Sequence, residues 1–443
     1  MNSPISDFIE KYEKSVFSRF HMPGHKGKGP VGIEKYDITE IEGADVLSEA
    51  EGIIGESEKN LTSLYKSGKS FYITGGSTTA ICAMLAMIKR PEEEKTYILA
   101  ARNVHKAFVH ASALLDIETD WIMPKDSNGI LSLNITKEDV EEKLASSDKK
   151  YSAVYLTSPD YLGHITDIKG ISEVTAKHNI PLLVDNAHGA YLKFLEDSLH
   201  PIDMGADICC DSAHKTLPVL TGGAYLHISS IAKHFIPSAR EKIALFSSTS
   251  PSYLIMKSMD MCNSYLETDF EKELSDTVGK AEEIKKFIRK KGFCVLESEP
   301  LKIVINAAKS GYSGTELAEM MRKEKMEAEF SDEDYLVLMV SPKNSKRDFK
   351  RLKKFFEKIT VREEKIRSFK ALPYPLREMS IREAVFAKSE WTKTEDAEGR
   401  ICASVTVSCP PAVPVVISGE RITKEVKEAL LYYGIDKVKT AIE

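Results

Sequence analysis

The chain has 443 residues, 42% of them hydrophobic and 29% charged, and its 61 basic and 67 acidic residues leave a formal net charge of -6. This length suits a large domain with a smaller one, and the charge balance gives no reason to expect nucleic acid or an anionic membrane as a partner. The sequence has no apolar run near the ~18 residues that span a bilayer and no signal-peptide core at its start, so we expect a cytoplasmic protein.

Residues 1 to about 35 are rich in Gly, His and Pro and predict an irregular N-terminal arm. Between about 70 and 230, short apolar runs alternate with helix-like stretches such as 79–89 and 171–177. Short buried strands that alternate with helices are typical of α/β folds, in which helices sandwich a mostly parallel sheet. The apolar runs are 71–73, 97–100, 153–156, 181–184, 208–210 and 224–228.

After about residue 265 the sequence becomes helical and highly charged. Segments 280–291 and 346–358 are amphipathic, and their interleaved acidic residues favour a solvated helix face over a nucleic-acid contact. The tail starts helical near Met379, passes through a Pro-rich segment at 409–414 and returns to a helix near Thr423. We therefore predict an N-terminal arm (1–35), a large domain (36–265) and a smaller α+β C-terminal domain (266–443).

Polar clusters follow five of the predicted strands. Functional residues of parallel sheets collect in loops at the carboxyl ends of the strands. We therefore expect these five loops to deliver polar groups to one edge of the sheet. The clusters are Gly75–Thr78, Arg102–His105, Thr157–Pro159, Asp185–His188 and Asp211–Lys215.

Lys215 is the central catalytic candidate, because it lies between an apolar strand and the Gly222-Gly223 turn. A buried lysine amine loses its proton more readily than one in water, and the neutral amine can form an imine with an aldehyde. Ser212 and His214 flank it at a spacing that suits a phosphate. Taken alone, such a string is more often a surface loop, so the hypothesis needs support from other loops.

Asp185 supplies that support at the end of the fourth predicted strand. A carboxylate there can pair with a protonated pyridine nitrogen and keep the ring an electron sink. The alternative is an Asp that caps the next turn. His188 follows in the same loop, and we include it among the cofactor-binding candidates, although a purely structural histidine fits equally well.

Gly75–Thr78 opens a predicted helix, where free N–H groups and the hydroxyls of Ser77 and Thr78 can bind phosphate oxygens. Gly76 lets the backbone approach an anion, and a plain N-cap by Ser77 is the alternative. The string is neither a G-x-G-x-x-G fingerprint nor a Walker loop, which argues against dinucleotide or ATP chemistry.

His105 follows the second predicted strand, where an imidazole could stack on a flat ring or simply lie at the surface. The eleven histidines include no His-x-x-x-His pair on a predicted helix, so we predict no metal site. The seven cysteines are scattered without a CxxC pair, which is typical of reduced thiols in a cytoplasmic protein.

Twelve strings in one order, spread over nearly the whole chain, resemble the ornithine/lysine/arginine decarboxylase family. These are pyridoxal-phosphate enzymes of the aspartate-aminotransferase fold type, and the resemblance is to the short form without an added N-terminal regulatory domain. Each string is weak alone, and their shared order is what is specific. The strings are Phe20–Gly27, Asp37–Gly43, Gly75–Thr78, Arg102–Lys106, Thr157–Pro159, Val184–Ala190, Ser212–Lys215, Ser247–Tyr253, Ser380–Ala384, Glu398–Ile401, Pro410–Pro414 and Gly419–Glu420.

This resemblance implies that Lys215 holds pyridoxal 5'-phosphate as a Schiff base, that Asp185 pairs with the ring nitrogen and that His105 stacks on the ring. It implies a homodimer, or a higher homo-oligomer, in which neighbouring subunits share active sites. The reaction it implies is decarboxylation of arginine, lysine or ornithine to a diamine, a step of polyamine biosynthesis. The implied phosphate ligands are Gly76, Ser77, Thr78, Ser212 and His214, with Thr249 or Ser250 from a neighbouring subunit.

The sequence departs from the family pattern at Ser48, Asn186 and Ala412. We expect these departures to lie where the substrate is recognised, so the substrate stays open. Glu420 is our candidate for binding the cationic end of the substrate, and a surface Glu is the alternative.

Two other functions remain open from the sequence. An aminotransferase or another lyase on the same fold would use the same cofactor, and an aminotransferase would need an arginine such as Arg377 or Arg240 for a second carboxylate. A binding protein without catalysis is disfavoured, because Lys215, Asp185 and Ser77 are all intact.

Overall fold

A computed structural model describes residues 1–90, 92, 94–123, 130–365, 376–405 and 412–442. Cys409, Pro410 and Pro411 of the predicted Pro-rich segment lie outside the described residues. The helices are α1 Pro4–Glu13, α2 Ile53–Tyr65, α3 Gly76–Met87, α4 Lys106–Leu115, α5 Lys137–Ser146, α6 Ile168–Lys177, α7 Ala213–Thr216, α8 Ile236–Ala244, α9 Tyr253–Thr268, α10 Phe270–Lys290, α11 Gly314–Lys323, α12 Lys346–Lys358, α13 Ile381–Phe386 and α14 Lys424–Tyr432. The strands are β1 Lys69–Ile73, β2 Thr96–Ala101, β3 Ile117–Ile122, β4 Tyr151–Thr157, β5 Leu182–Asp185, β6 Ile208–Asp211, β7 Ala224–Ile228, β8 Cys294–Val295, β9 Lys302–Asn306, β10 Phe330–Ser331, β11 Tyr335–Met339, β12 Ser389–Lys393, β13 Cys402–Ser404 and β14 Lys437–Ala441.

The chain divides into two compact units, each assembled from several segments. Unit 1 comprises Met1–Lys89, Ala153–Tyr155 and Ile168–Lys272. Unit 2 comprises Arg90–Ser152, Leu156–Asp167 and Glu273–Glu443. The domain boundaries predicted at residues 35 and 265 stay predictions.

The sheet of unit 1 has the strand order β1-β7-β6-β5-β4, to which β4 contributes its central residues. β5 and β6 are parallel, with Asp185 opposite Cys210. β7 is antiparallel to both of its neighbours, β1 and β6, so β1 and β6 run in the same direction. The carboxyl ends of β1, β5 and β6 therefore lie at one edge, which confirms the predicted mostly parallel sheet for these strands.

The strands of unit 1 are apolar because they are covered on both faces. Every residue of β5, β6 and β7 is buried, as expected for the inside of an α/β sheet. α3 is buried from Thr79 to Met87 and contacts β1, β6 and β7. A helix buried all round carries apolar residues on every side, so its sequence lacks the amphipathic pattern of a surface helix.

The N-terminal arm contains a helix that we did not predict. We expected residues 1–35 to be irregular, but Pro4–Glu13 is helical. Proline is favoured at the first position of a helix, and Ile5 and Ile9, one turn apart, are fully buried. The helix contacts α2 and α9 within unit 1. The irregular assignment was therefore wrong for this segment, because burial against distant helices stabilises a short apolar stripe.

Unit 2 combines a parallel strand pair with two antiparallel sheets. β2 and β3 are parallel, whereas the sheets β10-β11-β9-β8 and β12-β14-β13 are antiparallel throughout. Helix α12 matches the predicted 346–358 and begins with a capping box between Ser345 and Asp348, which satisfies the first N–H groups. These sheets and helices confirm the predicted α+β character of the C-terminal part. Over the ranges that the structure covers, none of the helices is both long and apolar enough to cross a bilayer.

Candidate functional site

Lys215 and His188 are in direct contact at the sheet edge of unit 1. Lys215 lies in α7, the single helical turn after β6, and its Nζ is 3.0 Å from Nε2 of His188. His188 is buried and Lys215 is half-buried. A hydrogen bond between an amine and an imidazole nitrogen requires that one of the two supply a lone pair. One of the two nitrogens therefore donates and the other accepts, which two fully protonated groups could not do at this distance.

Asp185 ends β5 inside the protein and is only 2% exposed. Its Oδ1 accepts a hydrogen bond from the N–H of Ala187 at 3.2 Å and lies 3.7 Å from Sγ of Cys210. Burial raises the pKa of Asp185, and the positive charge of Lys215 opposes that rise. A buried carboxyl with a raised pKa gains most from an additional donor or cation, which is what a protonated pyridine nitrogen would supply.

The loops after β1 and β6 meet through two hydroxyls. Oγ of Ser212 donates to Oγ of Ser77 at 2.8 Å, and the N–H of Gly76 donates to the carbonyl of Gly222 at 2.8 Å. Ser212 is buried, Ser77 is half-buried and Thr78 is exposed. These hydroxyls lie at the start of α3, where the helix dipole favours an anion.

Two further features suit a phosphate at this helix start. Gly76 has a φ of +70°, and a side chain there would meet nothing within 4 Å, so the space beside it is open. Nδ1 of His214 is 3.0 Å from the carbonyl of Gly223. Because a carbonyl only accepts, Nδ1 carries a proton, and Nε2 is left for another partner.

The residues at this edge fit the cofactor that the sequence predicts. They combine an amine, a buried carboxyl that needs a donor, and hydroxyls at an open helix start. Each of these groups matches one functional part of pyridoxal 5'-phosphate: the aldehyde, the ring nitrogen and the phosphate. All of the residues used here belong to unit 1.

His105 begins α4 in unit 2 as its N-cap residue. Its Nδ1 accepts a hydrogen bond from the N–H of Ala107 at 3.1 Å, so the ring proton is on Nε2. The predicted stacking of His105 on the cofactor ring stays a prediction.

Glu420 is buried in unit 2 and already has a cationic partner. Its Oε2 is 2.9 Å from Nη2 of Arg102 and accepts a hydrogen bond from the N–H of Ile417 at 2.6 Å. Burial raises the pKa of Glu420, and the charge of Arg102 opposes that rise. The predicted surface alternative is wrong, because Glu420 is only 3% exposed. The substrate role stays a prediction that must account for this ion pair.

Thr249 and Ser250 are exposed residues of unit 1. Thr249 lines a cavity of about 270 Å³ together with Ser48 and Arg240. Ser48, one of the departures from the family pattern, therefore lines the same cavity as a predicted phosphate ligand. Whether a neighbouring subunit uses Thr249 or Ser250 stays a prediction.

Asn186 does not lie where we expected a substrate-recognising residue. It is fully buried, and its Nδ2 donates to Oδ1 of Asp211 at 2.6 Å. Because the side chain is fully buried and its Nδ2 is bound to Asp211, although its Oδ1 has no hydrogen-bond partner among the described residues, the expectation of a substrate contact at Asn186 was wrong.

Sequence reasoning missed Tyr155 and Cys210, which both act on Asp185. Burial raises the pKa of Asp185, and the thiol of Cys210 and the hydroxyl of Tyr155 oppose that rise; both residues are fully buried. The only indication in the sequence was that each residue carries a hydroxyl or thiol within an otherwise apolar run, Tyr155 in 153–156 and Cys210 in 208–210. That signal does not say which face of the strand the residue occupies.

Both candidates for the arginine that an aminotransferase would need form ion pairs within the protein. Arg240 forms an ion pair with Glu58 in unit 1, and its Nη1 also donates to the carbonyl of Leu47 at 3.1 Å. Arg377 forms an ion pair with Glu118 in unit 2, with Nη1 2.9 Å from Oε2. Neither arginine offers an uncompensated charge to a second substrate carboxylate.

Comparison with known proteins agrees with the geometry. The family model for the Orn/Lys/Arg decarboxylase major domain matches residues 3–306, and the model for the C-terminal domain of the same family matches 375–437. Uncharacterized protein YaaO of Bacillus subtilis (strain 168) is 31% identical over 96% of this chain and 93% of its own length. Arginine decarboxylase of the same organism is 27% identical over 96% of this chain and 92% of its own length. The crystal structure of the Francisella novicida lysine decarboxylase LdcF superposes with a TM-score of 0.80 at 18% identity, over 99% of this chain and 81% of that one.

Proposed function

The chain belongs to the Orn/Lys/Arg decarboxylase family, and from this premise we propose that it decarboxylates a basic amino acid with pyridoxal 5'-phosphate as its cofactor. The observation that carries the proposal is the Lys215 amine, 3.0 Å from Nε2 of His188, whose charge acts on the buried carboxyl of Asp185. An imine-forming amine and a carboxyl for the ring nitrogen are the two groups that this cofactor requires of the protein.

We assign the roles of the site residues by their chemistry. Lys215 would hold the cofactor aldehyde, Asp185 would pair with the ring nitrogen, and His105 would stack on the ring, as the family resemblance implies. When bound, the cofactor supplies an electron sink for the electron pair left by departing carbon dioxide. The phosphate would be held by Gly76, Ser77, Thr78, Ser212 and His214, and Thr249 or Ser250 would complete this set from a second subunit.

The chain itself handles protons during the reaction. Asp185 keeps the ring nitrogen protonated while negative charge develops, and its burial strengthens that interaction. Lys215 would hold the cofactor before the substrate binds, and its amine, once free, would be available to transfer a proton. Nε2 of His188 lies within hydrogen-bond distance of the Lys215 amine, so we propose that this pair returns a proton to the carbon that has lost its carboxylate.

We infer that arginine is the first substrate to test. The relative named arginine decarboxylase matches along nearly the whole chain at 27% identity, whereas the lysine decarboxylase structure at 18% identity supports the fold alone. The cytoplasmic location, the shared active sites and the homodimer stay predictions from the sequence.

The deciding experiment measures carbon dioxide release from arginine, lysine and ornithine by the purified protein with added pyridoxal 5'-phosphate. We expect release from at least one of them, none from Lys215→Ala, and the matching amine in equal amount. Formation of a keto acid without carbon dioxide would replace the proposal by amino transfer.

A further inference from the structure

Successive side chains at the ends of β5 and β6 point to opposite faces of the sheet, as strand geometry requires. Asp185 and Cys210 are opposite each other and are in contact on one face. The next pair, Asn186 and Asp211, is in contact on the other face, where the amide Nδ2 donates to Oδ1 at 2.6 Å. Both residues of this second pair are fully buried.

Asp211 is the centre of a buried network on that face. Its Oδ2 is 3.1 Å from Nε2 of His200 and 3.3 Å from Nε2 of His227. Nδ1 of His227 is 2.7 Å from Oγ of Ser70. Burial would raise the pKa of Asp211, but the two histidines lower it well below its usual range. The carboxylate therefore stays ionised, and its charge needs every donor that the network provides.

The same cluster contains metal-ligating residue types, because His200, Cys209 and Asp211 approach one another closely. Nδ1 of His200 accepts a hydrogen bond from the N–H of Ile202 at 3.4 Å, so its proton is on Nε2 and is directed at Asp211. A metal bound to Nε2 would require that proton to move to Nδ1, where the N–H of Ile202 already lies. Hydrogen bonding accounts for the cluster without a metal.

The Asn186–Asp211 contact links the two loops that carry the reacting groups. Asn186 directly follows Asp185 and precedes His188 by two positions, while Asp211 precedes Lys215 by four. The backbone N–H of Asn186 also donates to the carbonyl of Cys210 at 2.9 Å. At Gly189, a side chain would approach Oδ1 of Asn186 to 2.0 Å, so this glycine makes room for the amide.

We propose that Asn186 and Asp211 are positioning residues. Their amide–carboxylate contact, on the sheet face opposite to Asp185 and Cys210, fixes the distance between Lys215 and His188 and the extent to which Asp185 is buried. The proposal rests on the proposed function, because it concerns the geometry of the cofactor site. It also explains why this chain has an amide at position 186. A second carboxylate there would face ionised Asp211 without an intervening proton.

The test compares Asn186→Asp, Asn186→Ala and the exchanged pair Asn186→Asp/Asp211→Asn with the wild type. The matched control is Asn263→Asp, which also changes a fully buried amide of unit 1, one that donates to the hydroxyl of Tyr72 at 2.8 Å. The readouts are the visible absorption of bound pyridoxal 5'-phosphate, its dissociation constant and the midpoint of urea unfolding.

We expect Asn186→Asp to weaken cofactor binding at least about tenfold, the range for a lost hydrogen bond to a charged group, and to alter the visible band. The exchanged pair restores one amide facing one carboxylate, so we expect its affinity for the cofactor to be at least about threefold higher than that of Asn186→Asp. Asn263→Asp lowers the urea midpoint but changes cofactor affinity less than about twofold. If Asn186→Asp does not fold, Asn186→Ala, which adds no charge, replaces it and is expected to weaken affinity in the same direction.

Three results would overturn the positioning role. They are wild-type cofactor affinity in both Asn186 variants, an exchanged pair no better than Asn186→Asp, and a stoichiometric metal ion that is lost with Asp211. None of them depends on turnover. A wild-type protein that binds the cofactor but releases no carbon dioxide would contradict the proposed function and leave this test intact.

Discussion

Nη2 of Arg102 lies 2.9 Å from Oε2 of Glu420, and the two residues are 318 positions apart in the chain. Nη1 of the same arginine donates to the carbonyl of Pro414 at 3.0 Å. The guanidinium thus holds the end of β2 to the segment that follows the Pro-rich loop, all within unit 2. Because Glu420 is buried, its charge depends on its cationic partner more than that of a surface carboxylate would, and Arg102 is the first of the two arginines, with Arg377, that oppose the rise in its pKa.

We predict that Arg102→Ala lowers the free energy of unfolding by about 3–5 kcal/mol, because it leaves a buried carboxylate without its cation. Urea denaturation measures this loss. Arg421→Ala is the matched control: its partner Glu378 is 38% exposed, so its loss should stay below about 1 kcal/mol. Equal losses in the two variants would contradict the role of burial.

Glu420→Gln separates the two roles considered for this carboxylate. The variant keeps the shape and removes the charge that Arg102 compensates, so we expect lower stability. A KM for arginine that rises about tenfold would support the predicted substrate contact. An unchanged KM together with lower stability would assign Glu420 to folding alone.

We predict that Lys215→Ala and Lys215→Arg both lose the visible absorption band of the bound cofactor and all carbon dioxide release. Alanine has no amine, and the arginine side chain stays protonated and cannot form the imine. Lys233→Ala, which changes an exposed lysine of unit 1, is the control and should keep both signals. A band that survives in Lys215→Arg would remove Lys215 from its assigned role.

His188→Gln should reduce kcat by about 10²–10⁴-fold and leave KM for the amino acid within a small factor. The amide keeps a polar group near Lys215 but cannot transfer a proton, and the expected loss is the range for general acid–base catalysis. Steady-state kinetics test this. His234→Gln, at an exposed histidine, should leave kcat unchanged. A normal kcat in His188→Gln would make His188 a structural residue.

Asp260 should make the stability of the protein depend on pH. It is fully buried and accepts a hydrogen bond from the N–H of Ser6 at 2.9 Å. Burial raises the pKa of Asp260 from 3.8 to about 6, although Ser57 and Ser6 oppose that rise. The native state thus binds this proton more tightly than the unfolded chain does. The stabilisation that protonated Asp260 provides is complete below about pH 4 and is lost as the pH rises through about 6.

In the wild type, Asp260 should lower the free energy of unfolding by on the order of 2 kcal/mol as the pH rises from about 4 to about 6. The Asp260→Asn variant should not show this decrease. Urea titrations at a series of pH values measure it. Asp276→Asn is the control at a carboxylate that is 66% exposed, and its pH profile should match the wild type. A fall of equal size in Asp260→Asn would show that other groups cause it.

Local sequence patterns were sufficient for six of the fourteen strands that the structure describes (β1, β2, β4, β5, β6 and β7) and for the core of the site, but they missed β3 and the short antiparallel strands after residue 290. Apolar runs predicted β5 and β6 because those strands are covered on both faces, which leaves continuous hydrophobic stretches in the sequence. Asp185 was found because it directly follows such a run, and Lys215 because it lies in the loop five positions after the next run, at the strand ends where sites form in α/β sheets. The same reasoning missed α1, whose short apolar stripe is stabilised by helices distant in the chain.

What the sequence by itself determined is the family, the chemistry of the groups available and the sheet edge to which they are delivered. Only the tertiary structure decided which face each side chain occupies and which charge it meets. The side chain of Asn186 lies on the sheet face opposite to Asp185 and binds Asp211. Glu420 forms an ion pair with Arg102, which lies 318 positions away in the chain. The physical reason is that strand and helix periodicities depend on neighbouring residues, whereas a buried charge is compensated by whatever group the fold brings next to it.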